Sequence, residues 1–102
     1  MSAHRRRLVV QPGAQADIRA ILLYTRERWS AEQRRRYRAQ LNQAMRSLLD
    51  HPERGRPRDE FYAGCRSLVV EQHVVFYYLT DDAIVIDRVL HGSQDPTDKL
   101  AP

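Results

Sequence analysis

Arg66, Arg88 and His91 are the residues of this chain best suited to chemistry. An imidazole titrates near neutral pH and can give or take a proton, and guanidinium groups can steady a phosphate. Together they form the minimum apparatus for cutting RNA through its own 2′-hydroxyl. Each also has a structural reading. His91 closes the apolar run Ile84-Val85-Ile86 to Leu90 and precedes Gly92, a place where a strand releases and histidines ordinarily cap or meet solvent. Alternation along a strand groups Ile84, Ile86, Arg88 and Leu90 on one face and Val85, Asp87, Val89 and His91 on the other. If Arg88 then lies under helices it needs a carboxylate, because an unpaired buried charge costs several kcal/mol. Asp17 and Glu71 are its candidate partners. An Asp87–His91 dyad is excluded on distance, since four strand residues span about 13 Å.

Other residues suit binding rather than catalysis. In "RRRYR" (34–38), Arg35 and Arg36 point away from the Tyr37–Leu41 stripe; they read either as a solvated face or as groups whose mutual repulsion an acidic partner would relieve. "RGRPR" (54–58) places Arg54, Arg56 and Arg58 in one loop, either a claw for phosphate or carboxylate or a merely soluble connection. Leu23 and Tyr24 fall off the apolar stripe of their helix, so either a second side is covered or another chain's apolar segment docks there.

Charge agrees with a partner of opposite sign: 17 Lys plus Arg stand against 13 Asp plus Glu, net +4, and 16 of the 17 are arginine. An arginine-rich proteome would leave the same imprint, so position must decide. The single cysteine, Cys65, forms no internal disulfide, and His4, His51, His73 and His91 show no ligand spacing. No metal or cofactor is expected. No apolar run is long enough for export or membrane spanning, which points to the cytoplasm.

The elements that must position these groups form one domain over 1–102. A strand over 5–11 stops at Pro12-Gly13. A helix over 13–28 carries Ala14, Ile18, Ile21, Leu22, Thr25 and Trp29 on one side. Ser30 and Gln33 form a capping box for a second helix over 30–50, with Tyr37, Leu41, Ala44, Met45 and Leu48 inward until His51-Pro52 ends it. The short joint predicts an antiparallel hairpin. A loop over 52–64 precedes strands over 65–72, 73–80 and 83–90, the last two joined by Asp81-Asp82, and a tail over 91–102. The expectation is an α+β domain: an N-terminal strand and a helical hairpin packed on a three- to four-stranded antiparallel sheet.

Taken in order, "PGAQADIRAILLYTRERW", "YRAQLNQAMRSLLDHPERGRPR", "GCRSLVVEQHVVFYYL" and "IVIDRVLHGSQD" resemble the ParE branch of the RelE/ParE toxins of type II toxin–antitoxin pairs. The ordered set of Asp17, the loop from His51-Pro52 to Gly55-Arg56, Gly64-x-Arg66-Ser67 and Arg88 to His91 carries the resemblance along nearly the whole chain. It implies the helical hairpin and antiparallel sheet already read. It also implies a cognate acidic antitoxin that wraps the toxin, and a target. ParE-like members poison DNA gyrase without evident hydrolysis; RelE-like members cut mRNA on the ribosome. Arg66 matches an arginine of the nucleases and His91 falls near a histidine that some of them use. The helix-to-strand region has no lysine, however, and the tail has no tyrosine, which favours the ParE reading. A third reading is a plain nucleic-acid-binding module, whose affinity would fall steeply with salt.

Overall fold

The computed structural model describes residues 5–24 and 28–101. Its elements are β1 (Arg7–Val10), α1 (Pro12–Tyr24), α2 (Ala31–Ser47), β2 (Arg56–Pro57), β3 (Arg66–Val70), β4 (His73–Leu79) and β5 (Ala83–His91). Pro12 opens α1, where its missing N–H is no loss. At Ser30 the capping box is complete: its hydroxyl accepts from the Gln33 N–H and its own N–H donates to the Gln33 side chain. Thr25, placed by its spacing on the inner side of the first helix, lies outside the described residues.

The sheet has five strands in the order β1-β5-β4-β3-β2. This corrects the expected three- to four-stranded antiparallel layer in two respects. β1 pairs with β5 in parallel, Leu8 opposite Ile84 and Val10 opposite Ile86. Hydrophobic pattern marks a strand but carries no direction, and parallel neighbours need a long crossover, here the whole intervening chain. The loop over 52–64 also contributes β2, two residues paired antiparallel with Ser67 and Arg66. Pro57 lacks a backbone donor, which confines it to such an edge.

Ala14, Ile18 and Ile21 of α1 and Tyr37, Leu41, Ala44, Met45 and Leu48 join Val70, Val75, Tyr77, Ile84, Ile86 and Val89 in one core. The helices cover one face of the sheet. On the other face Cys65, Phe76 and Leu90 form a smaller cluster under Phe61, Tyr62, Val74 and Leu100, so the 58–65 loop and the tail act as its cover.

Strict alternation fails at one residue in β5. Val75 pairs with Val89 and Phe76 with Arg88, but Tyr77 pairs with Ile86, which leaves Asp87 as a β-bulge. Past the bulge the faces exchange, so Val89 rather than Leu90 joins Ile84 and Ile86 under the helices. The two-face assignment made from alternation is therefore corrected beyond residue 86.

Candidate functional site

Arg88 points to Asp17. Its Nε donates to Asp17 Oδ2 at 2.7 Å and its Nη2 to Oδ1 at 2.8 Å, while Oδ2 also accepts from the Val89 N–H at 2.9 Å. β1 has ended by Val10, and the first turns of α1 bring this carboxylate to the β5 edge that β1 leaves open. Arg88 Nη1 donates to the Lys99 carbonyl at 3.0 Å, pinning the tail. Gly13 makes room: a Cβ there would lie 3.1 Å from Arg88 Cδ. Glu71, the other candidate partner, lies at the β3–β4 turn and instead accepts from Gln40 at 3.4 Å.

Arg66 sits on the helix-facing side, opposite Tyr77, and donates to the carbonyls of Gly55 at 2.6 Å and Glu53 at 3.2 Å. Arg88 pairs with Phe76, whose ring belongs to the cluster on the other face. His91 is opposite His73, four residues along β4 from Tyr77, a separation of about 13 Å along the strand. The structure thus does not bring Arg66, Arg88 and His91 together, and both guanidinium groups are taken up by internal acceptors.

A different set of residues converges. Between α2 and the Glu71-Gln72 turn lies a groove of about 270 Å³ lined by Trp29, Gln33, Arg36, Tyr37, Gln40 and His73, among others. That is the room of a few side chains, small for a cofactor. Past His73 a second, shallower cleft runs on to Val69, Val74, His91 and Ser93. Trp29 meets Tyr37 edge to face, with centroids 5.3 Å apart, and so forms the apolar end of the groove. The Tyr37 hydroxyl donates to the Val70 carbonyl at 3.0 Å and bonds His73 Nδ1. Burial, with Glu71 nearby, pushes its pKa up to about 12, so it remains a neutral donor at physiological pH. With that proton directed at Val70, the second bond takes its proton from His73 as the Nδ1–H tautomer; directed at His73 instead, it is accepted by the Nε2–H tautomer. Burial first, and His91 second, lower the pKa of His73 and keep it neutral. Glu71 holds φ at +54° at the first position of the two-residue turn, a backbone region that disfavours a side chain.

Of the residues singled out from sequence, Arg36 lines the groove and reaches Glu32 at 3.7 Å, and Arg35 is exposed on the same helix. His91 is exposed in the second cleft, its Nδ1 held by Ser93 Oγ at 2.8 Å. Leu23 and Tyr24 are 63% and 67% exposed at the end of α1, so their off-stripe positions are real; the Arg28 guanidinium stands over the Tyr24 ring at 5.1 Å. Arg54 and Arg56 are exposed near and on the β2 edge. Arg58 turns inward, bonded to Glu60 and Ser67, with its guanidinium 4.7 Å above the Phe61 ring. The sequence reading missed Trp29, Gln40, Gln72, His73 and the 69% exposed Val69. Val69 alone had a signal, as an apolar residue out of phase with its inward neighbours.

This α+β fold is shared with known proteins. It superposes on a chain of the chromosomal ParDE toxin–antitoxin system from P. aeruginosa with a TM-score of 0.76 at 20% identity, covering 87% of this chain and 98% of that one. A chain of the E. coli DinJ–YafQ toxin–antitoxin complex gives 0.59 at 16% identity, over 85% and 92% of the two chains. These likenesses define the fold. In sequence, Toxin ParE1 of Caulobacter vibrioides is 35% identical over 82 residues, 80% of this chain and 84% of that protein. Toxin ParE1 of Mycobacterium tuberculosis is 33% identical over 90 residues, 87% and 92% of the two. The family model described as ParE toxin of type II toxin–antitoxin system, parDE, matches residues 8–96, and the chain belongs to that family.

Proposed function

We propose that this ParE toxin inhibits DNA gyrase in the cytoplasm by binding, without chemistry of its own, and that a cognate acidic antitoxin neutralises it. The observation that carries the reading is the family match across residues 8–96. The site supports it: Arg66 and Arg88 are engaged internally, whereas Leu23, Tyr24, Arg35, Arg36, Arg54, Arg56 and His91 are exposed and free of the core. These residues are the proposed contacts to target or antitoxin. Arg36 at the groove and the net charge of +4 suit an acidic segment, whose apolar residues would meet Trp29 and Tyr37. Purified toxin added to a supercoiling assay should block supercoiling or trap cleaved DNA, and stoichiometric antitoxin should restore activity. Normal supercoiling at stoichiometric excess of toxin would remove the gyrase reading. In the alternative, ribosome-dependent mRNA cleavage by Arg66, Arg88 and His91, His91→Ala would abolish both cleavage and growth arrest; intact mRNA in arrested cells excludes it.

A further inference from the structure

His73 and His91 are 18 positions apart in sequence, yet they stand directly opposite on β4 and β5, with side chains on one face of the sheet. Their ring centroids are 5.4 Å apart and the planes nearly perpendicular, at 86°. Two imidazoles bound through Nε2 to one tetrahedral ion, at metal–nitrogen distances of about 2.0–2.1 Å, have centroids roughly 5 Å apart. The other nitrogen of each ring is anchored. Tyr37 holds His73 Nδ1 and is itself fixed by the Val70 carbonyl. Ser93 holds His91 Nδ1 through Oγ at 2.8 Å and its N–H at 3.1 Å. A histidine that ligates through Nε2 donates its Nδ1–H to such a neighbour, and both the Tyr37 and Ser93 hydroxyls stand where they can accept it. The shared cleft leaves space beside both rings, and Glu71 and Gln72 also line it.

We infer that His73 and His91 form a binding site for one divalent transition-metal ion, of the zinc, nickel or copper class, at the mouth of the groove. Imidazole nitrogens select these ions over magnesium and calcium, which require oxygen ligands. Among the described residues no cluster of three or more His, Cys, Asp or Glu side chains converges on a metal position, so water or a group of a bound partner completes the coordination. His73 binds as the neutral Nδ1–H tautomer, in which Nδ1 donates to the Tyr37 hydroxyl. For His91, ligation at Nε2 moves the ring proton to Nδ1, which then donates to Ser93 Oγ while the exposed Ser93 N–H turns to water. Sequence spacing gave no hint of the site, because hairpin register, not a short motif, brings the rings together.

The test uses the full chain at neutral pH, titrated calorimetrically with zinc, nickel or copper chloride and, as control, magnesium chloride. One transition-metal ion should bind per chain and raise the melting temperature, with no effect of magnesium. His91→Ala, at an exposed position that should not disturb folding, should weaken binding at least tenfold, and His73→Gln should do the same; Tyr37→Phe, which removes the anchor together with its bond to the Val70 carbonyl, should weaken it about tenfold. A His4→Ala/His51→Ala variant should bind as the parent does. Unchanged affinity in His91→Ala and His73→Gln, or loss of binding in the His4/His51 variant, would overturn the inference. None of these readouts involves gyrase or antitoxin, so they stand apart from the proposed function.

Discussion

Replacing Asp17 by Ala removes three acceptor contacts at once, those to Arg88 Nε, Arg88 Nη2 and the Val89 N–H. The side chains of Arg88 and Asp17 are 28% and 14% exposed, between the surface and buried limits. Exposed ion pairs contribute about 0–1 kcal/mol, whereas breaking a fully buried pair costs about 3–5 kcal/mol. Since the stranded guanidinium here keeps partial access to water, the expected loss is about 2–3 kcal/mol. For a domain of this size that corresponds to a fall in melting temperature of roughly 10–20 °C. Arg88→Met should be costly by itself, because it strands the carboxylate and frees the Lys99 carbonyl. The double variant should be little worse than either single one, giving a coupling energy above about 1.5 kcal/mol in a double-mutant cycle. Urea denaturation with a shared m-value measures all four corners. Additive losses, with coupling below about 0.5 kcal/mol, would show that the clamp is no more than a surface ion pair.

Gly55→Ala would put a Cβ 2.6 Å from the buried Tyr77 ring and 2.8 Å from the Ser67 carbonyl, so chemical denaturation should show a loss above about 2 kcal/mol and displacement of the hydroxyl that bonds the Gly55 N–H. Burial raises the pKa of Asp87 above the ordinary carboxylate value, against the lowering effect of its bonds from Tyr62 and the Ala101 N–H. The native state therefore binds this proton more tightly than the unfolded chain. Stability is lost as pH rises from about 4 through the folded pKa. Asp87→Asn removes that loss, so its melting temperature relative to the parent should be highest at neutral pH and shrink on acidification; a gap that widens on acidification refutes the burial account. Glu71→Gly relieves the positive φ at the β3–β4 turn, and denaturation should find stability unchanged or raised by up to about 1 kcal/mol. A clear loss would mean that the Gln40 contact outweighs the strain.

The capping box at Ser30, the inward stripe of α2 and the need of Arg88 for a carboxylate, with Asp17 one of two candidates, were legible in the chain, because each follows from local spacing or from the demand of a buried charge for a counterion. The parallel placement of β1, the two residues of β2 and the bulge at Asp87 were not. Strand direction and order depend on which edges meet after collapse, and a single inserted residue reverses every later side chain while leaving the hydrophobic pattern almost unaltered. The same distinction governs the site. Residue types marked Arg36, His91, Leu23 and Tyr24 as groups without an obvious place in the core, and they are exposed. Only the tertiary structure sent Arg66 and Arg88 to separate internal acceptors and set His73 against His91 beneath Tyr37. Composition and periodicity determine what each segment must bury; register across the sheet decides which distant polar groups share a cleft, and no short-range spacing encodes it.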